Sequence, residues 1–106
     1  MLPAMSIETR GLFVDLRIYA GFAGQAGRLS AVRRDVEALL GKLAGLRRFQ
    51  LLETAEGVAM VIEAEDRAAC DECARLAAQW MRERMPALES YRPLEVAGEV
   101  IAEVER

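Results

Sequence analysis

Two cysteines three positions apart, Cys70 and Cys73 in the stretch AACDECA (68–74), hold the spacing that dithiol redox proteins and metal sites use. A redox pair needs its nucleophilic thiol at a helix N-terminus, where the dipole lowers the pKa. Asp66 reads as the N-cap of a long helix that Pro86 ends, so Cys70 falls a full turn inside it. On that helix Cys73 shares a face with Ala69, Leu76, Ala77 and Trp80, while Cys70 lies on the flank shared with Ala77 and Met81. Cβ atoms at i and i+3 are ~5–6 Å apart against ~3.8 Å in a relaxed disulfide, so closing the bridge would strain the helix. The spacing therefore predicts two free thiols pointing into the core, with too few ligands for a metal.

A second group of residues has more chemistry in it. Asp15, Arg17, Tyr19, Arg48, Gln50, Glu63 and Glu99 fall on alternating positions of predicted strands, and Trp80 lies on the core side of the long helix. One reading makes the charged members a network of ion pairs across a subunit interface. The other makes the set a polar lining for a small ligand, with Tyr19 as hydrogen-bond donor and Arg17 or Arg48 holding an anionic or phenolate oxygen. These eight residues are the candidate ligand pocket; no catalytic role is assigned to any of them.

The elements that position them follow from period and punctuation. Residues 1–11 form a lead-in expected to fray, and a single domain spans 12–106. LFVDLRIY (12–19) alternates Leu12, Val14, Leu16 and Ile18 against Phe13, Asp15, Arg17 and Tyr19; the wholly aliphatic set is expected to face the helices. GFAGQAG (21–27) is a loop whose glycines lack phosphate-binding spacing, and Leu29, Val32, Val36, Leu39, Leu40 and Leu43 then recur with helical period to a stop near Gly45. LRRFQLLET (46–54) and VAMVIEAE (58–65) make a hairpin around AEG (55–57). The long helix, a loop ALESYRP (87–93) and a last strand LEVAGEVIAEV (94–104) complete the chain. The order strand, helix, strand, strand, helix, strand is the ferredoxin-like α+β arrangement, a four-stranded antiparallel sheet with both helices on one face.

Composition narrows the function. The 106-residue chain carries 17 acidic and 14 basic residues, interspersed, for a net charge of −3, so it has no basic stripe to bind nucleic acid. Its apolar runs are too short to span a membrane, and the opening MLPAMSIETR lacks the regions of a signal peptide, which assigns it to the cytoplasm. Histidine is absent, so proton transfer must fall to Asp, Glu, Tyr, Cys or Lys.

The stretches GLRRFQLLETAEGVAMVIEAEDRAA (45–69), RLAAQWMRERM (75–85) and EVAGEVI (95–101) resemble the small dimeric α/β-barrel proteins related to the antibiotic biosynthesis monooxygenases. The resemblance implies a homodimer joined sheet to sheet and a pocket between sheet and helices. It implies no fixed activity, because the superfamily mixes cofactor-independent oxygenases, haem-degrading enzymes and stress-response proteins. The haem-degrading branch uses a histidine that this chain lacks, so no cofactor is expected. In the oxygenase branch, aromatic and amide side chains position a polycyclic phenol, a part that Trp80 and Gln50 would play here. Two functional readings result: a homodimer that binds a small apolar or phenolic molecule, with monooxygenase-like activity, or a non-catalytic structural or ligand-sensing module.

Overall fold

The computed structural model describes residues 6–7, 11–20, 33–84 and 92–105. The expectations for GFAGQAG, for the helical positions Leu29 and Val32, and for residues 87–91 of the late loop lie outside them. The elements in chain order are β1 (Ser6–Ile7), β2 (Phe13–Ala20), α1 (Arg33–Leu40), β3 (Leu46–Glu53), β4 (Gly57–Ala64), α2 (Arg67–Arg84), β5 (Leu94–Glu99) and β6 (Val104–Glu105). Strands β2 to β5 form an antiparallel sheet in the order β3-β4-β2-β5, the ferredoxin-like arrangement.

Local chemistry explains the joints. Thr54 closes the β3–β4 hairpin, its backbone N–H donating to the Gly57 carbonyl at 2.9 Å and its hydroxyl accepting from the Gly57 N–H at 3.0 Å. Asp66 caps α2, its carboxylate accepting from the Ala69 N–H at 2.8 Å. Helix α1 ends at Leu40, earlier than its apolar period suggests, and turns carry the chain to Gly45 at φ +83°. That glycine is required twice over. A Cβ there would sit 2.9 Å from the Ala69 Cβ, and the left-handed backbone aims its carbonyl at the Glu65 N–H, 2.7 Å away.

The last strand is not continuous. β5 stops at Glu99, the Val100 N–H donates to the Leu12 carbonyl at 2.7 Å, and the chain resumes as β6, which pairs with β1 in a separate two-stranded sheet. The lead-in is therefore tied down at Ser6–Ile7 rather than frayed there.

The strand register reverses the expected assignment of the two faces of β2. Directly opposed residues of an antiparallel pair share a face. Phe13, Asp15, Arg17 and Tyr19 lie opposite Ala64, Ile62, Met60 and Val58, and these four β4 residues are fully buried under the helices. The mixed set of β2 thus faces the helices, and the aliphatic set Val14, Leu16 and Ile18 faces the open side. The aliphatic set lost the helices because β4 is the strand that commits: Val58, Met60 and Ile62 pack with Cys70, Cys73, Ala77, Trp80 and Met81, and β2 must follow their parity. A bulge at Arg47 does similar work on β3. Leu46 pairs with Ala64 and Arg48 with Glu63, so Leu46, Phe49 and Leu51 turn inward while Arg48, Gln50 and Leu52 turn outward.

Helix α2 lays Cys70, Cys73, Ala74, Ala77, Trp80 and Met81 on the sheet, and α1 adds Leu40 with Val36 and Leu39. At its start the Arg67 guanidinium sits 5.9 Å from the centre of the Phe13 ring. Both cysteines are free and buried, as their helical positions require, and burial pushes the thiols up to about 11 for Cys70 and about 12 for Cys73. In a thiol titration with Ellman's reagent the native protein should therefore react with neither cysteine, and the urea-unfolded protein with both. Rapid labelling of the native protein would show that α2 opens.

Candidate functional site

Strand β2 packs its aromatic ends against the core, Tyr19 buried and Phe13 half-buried, and holds a charge between them. Phe13 and Tyr19 pack with the core, whereas Asp15 is the single buried charged residue among the described residues, 2% exposed. A carboxylate with no counter-charge in such a place would be penalised by several kcal/mol or would stay protonated. The countercharge comes from Arg17, two positions further along the same strand. The Arg17 Nε donates to Asp15 Oδ1 at 3.3 Å and to Glu95 Oε2 at 2.8 Å, and its Nη2 lies 2.8 Å from the same Glu95 oxygen. Glu95 is the direct cross-strand partner of Arg17 on β5, so the sheet's own register brings the second carboxylate to the guanidinium.

Burial is the largest influence on Asp15, raising its pKa from 3.8 to about 6; a side-chain hydrogen bond to Glu95 adds to the rise, and the Arg17 charge opposes it. Burial also works against the Arg17 charge, but Asp15 and Glu95 outweigh it and the guanidinium is held more firmly charged than usual. Tyr19 is raised by burial, against the pull of Arg17, which faces it with a positive charge and a donated hydrogen bond. From α2, Cys70 and Cys73 face the same region, close enough for the Asp15 charge to act on both thiols.

The eight residues singled out from the sequence divide between two faces. Asp15, Arg17, Tyr19 and Trp80 lie on the covered side, with Asp15 and Arg17 in contact and Tyr19 and Trp80 in the same core. Glu99 is on that side too, opposite Phe13, but on the exposed strand β5 and two positions past the Asp15 level. Arg48, Gln50 and Glu63 are on the open face, Arg48 opposite Glu63, because the register of β3 on β4 turns them away from the helices. Gln50 and Trp80 therefore cannot act together on one ligand, and Arg48 cannot hold an oxygen at the Tyr19 side. Arg17 lies beside a carboxylate as expected, but its main partner is Glu95. That residue stood in the sequence only as one more alternating position of the last strand; pairing it with Arg17 needs the β2–β5 register.

What the cluster can do follows from its charge. With Asp15 ionised, two carboxylates share one guanidinium, so the site has an excess of acceptors and a cation already engaged. It suits a hydrogen-bond donor, a hydroxyl hydrogen above all, better than an anion. Exposure is graded across it: the side chains of Asp15, Arg17 and Glu95 are 3%, 22% and 45% exposed.

No protein-family model and no curated protein matches the sequence. Solved structures do match in fold. A candidate antibiotic biosynthesis monooxygenase from Caulobacter crescentus superposes with a TM-score of 0.64 at 16% identity, over 88% of this chain and 92% of that one. A dimeric ferredoxin-like protein from an uncultured marine organism gives 0.62 at 17% identity, over 93% and 94%. A cofactor-independent oxygenase from Streptomyces nogalater gives 0.53 at 15% identity, over 84% and 91%. The chain shares their ferredoxin-like fold.

The Asp15 shift carries a sign that can be measured. The folded state holds this proton more tightly than the unfolded chain, so it binds more protons across the window from 3.8 to about 6. The contribution of Asp15 to stability is therefore fully present below the window and is lost as pH rises through about 6. Urea midpoints of the native sequence should fall relative to those of Asp15→Asn as pH rises through that range; a relative rise would mean that the Arg17 charge outweighs burial.

Proposed function

We propose that this chain forms a homodimer sheet to sheet and binds a small, largely apolar molecule on the covered side, with the molecule's hydroxyl donating to Asp15. The observation that carries the binding reading is a buried carboxylate among apolar and aromatic neighbours, with its cation shared by a second carboxylate. Tyr19, Met60, Ile62 and Trp80 supply apolar surface near it, and a phenol or enol is the chemical class that offers both an apolar body and an acidic hydroxyl. Oxygenation of an electron-rich phenol without a cofactor is the reaction we assign to the site, a reading supported by the fold it has in common with the Streptomyces nogalater oxygenase. Arg17 holds the two carboxylates in place in this reading; it does not hold the ligand.

Dimer formation is supported by the open face. Val14, Leu16 and Ile18 lie beside Leu94 and Val96, which are 64% and 60% exposed, and the apolar surface runs on to Val61 and Leu52. Such a face in water calls for a cover. A second copy suits it, since the marine structure of the same fold is a dimeric protein. Phe13 and Tyr19 take no part, because they face the helices. No helix among the described residues is long and apolar enough to cross a membrane, and we assign the protein to the cytoplasm, where two free thiols stay reduced.

Two measurements test the pieces separately. Light scattering should give twice the 11.7 kDa chain mass, and Leu16→Glu, which puts a charge at the centre of the open face, should halve it; a monomeric native protein ends the dimer reading. Mass spectrometry of the native protein should show a co-purified small molecule that Asp15→Asn retains at least ten-fold less well. Equal retention would leave Asp15, Arg17 and Glu95 as a structural ion-pair group and favour the non-catalytic module.

A further inference from the structure

We propose that the two copies of the homodimer join edge to edge at β5, antiparallel and in a single register that sets Val96 opposite the second copy's Val96. The inference rests on the dimer reading above and goes beyond it by naming the strand, the register and the residues that join the copies.

The two margins of the sheet are built differently. β3, at one margin, carries the bulge at Arg47 and two adjacent exposed cations, Arg47 and Arg48, devices that discourage another strand from adding there. β5, at the other, runs in unbroken register with β2, has no Lys or Arg, and is exposed at all six of its residues. Such an edge is a template for a further strand.

Hydrogen-bond parity says which groups that edge offers. The Val100 N–H donates to the Leu12 carbonyl, and these two stand opposite each other when the β2–β5 register is carried one residue past the Phe13/Glu99 pair. Bonded and non-bonded pairs alternate along antiparallel strands. Leu94, Val96 and Gly98 therefore bond to β2, while Glu95, Ala97 and Glu99 turn their backbone N–H and C=O groups to the free side. A second β5 can dock only with its own outward residues opposite these, which requires a register centred on a residue rather than between two. Two such registers overlap five residues of the strand. Centred on Ala97, pairing would set Glu95 and Glu99 of opposite copies against each other twice. Centred on Val96, it sets Glu95 opposite Ala97, and no carboxylate directly faces another.

The same register fits the side chains. On the open face Leu94 comes opposite the second copy's Gly98, a position where a Cβ would meet nothing within 4 Å, so the glycine leaves the room that the leucine fills. These are the non-bonded pairs, whose side chains lie closer together. Leu16 and Val96 of one copy continue into Val96 and Leu16 of the other as one aliphatic row. Pairing stops where Pro93, which has no N–H, comes opposite Glu99. Two four-stranded sheets become one of eight strands, enough to curl with the aliphatic face inward, so edge pairing and burial of the open face are one interface.

Three measurements test the register. Cα atoms of a non-bonded pair are ~4.5 Å apart, inside the ~4.4–6.8 Å that a disulfide spans. Mild oxidation of Val96→Cys should therefore link most chains in pairs on a denaturing gel. Leu94→Cys, which lies four residues along the strand from its own counterpart, should stay unlinked; Cys70 and Cys73 are buried and do not contribute. Gly98→Leu meets nothing within its own chain, yet should raise the dimer Kd by about ten-fold. Amide exchange of the unaltered protein needs no variant: Glu95 and Ala97 should be protected as well as Val96 and Gly98, whereas a bare edge protects only the residues bonded to β2. A monomer in light scattering overturns the dimer reading and this inference together. A dimer whose Val96→Cys form fails to link, whose Leu94→Cys form links as readily, whose Kd ignores Gly98→Leu, or whose Glu95 and Ala97 amides exchange freely overturns the inference alone.

Discussion

The arrangement of this protein turns on the contact between Arg17 and Glu95. An aspartate placed under two helices is tolerable only with a cation beside it, and that cation, itself half-buried, needs a second anion to stay there. The first requirement is met along β2 itself, by Arg17 two positions from Asp15, and the second by the cross-strand pairing of Arg17 with Glu95 on β5. A slip of one residue between these strands would turn Glu95 to the opposite face and leave Arg17 without its second carboxylate. The electrostatic group therefore specifies the register as much as it depends on it.

The same pairing divides labour between the two faces of the sheet. The covered face combines a closely packed apolar floor from β4 and α2 with one ionised group, which is the combination that shifts a carboxylate toward neutrality. The open face is aliphatic along β2 and turns polar toward β3, where Arg48, Gln50 and Glu63 gather. Residues of the open face and residues of the charged cluster thus alternate along β2, and either set can be altered with little direct contact with the other.

The order of the four main-sheet strands and the two helices, the hairpin at Thr54, the cap at Asp66 and the buried stripe of α2 were legible in the sequence, because each is a local matter of period or of a side chain reaching its own backbone, whereas the pairing of β1 with β6 was not. The side of the sheet was not. Alternation along LFVDLRIY sorts its residues into two sets but does not say which set meets the helices, and the usual preference for aliphatic cores points the wrong way for Val14, Leu16 and Ile18. The parity is decided on β4, through contacts far away in sequence. The bulge at Arg47 leaves no signature, since its neighbours Leu46 and Arg48 read as one ordinary alternation. The candidate site inherited both errors: Arg48, Gln50 and Glu63, three of its eight residues, belong to the other face, and Glu95 was visible only as a position.

Strand β5 is exposed along its whole length and lies at the margin of the sheet, although it holds one of the two carboxylates on which Arg17 depends. Elements with so little buried surface sit at the low end of local opening free energies and exchange their amide hydrogens through partial detachment rather than global unfolding. When β5 lifts from β2, Glu95 leaves with it, and Arg17 is returned to Asp15 alone. The interior carboxylate is then better neutralised and less ready to take a proton, so the acid–base character of the core is tied to whether its least anchored strand is docked.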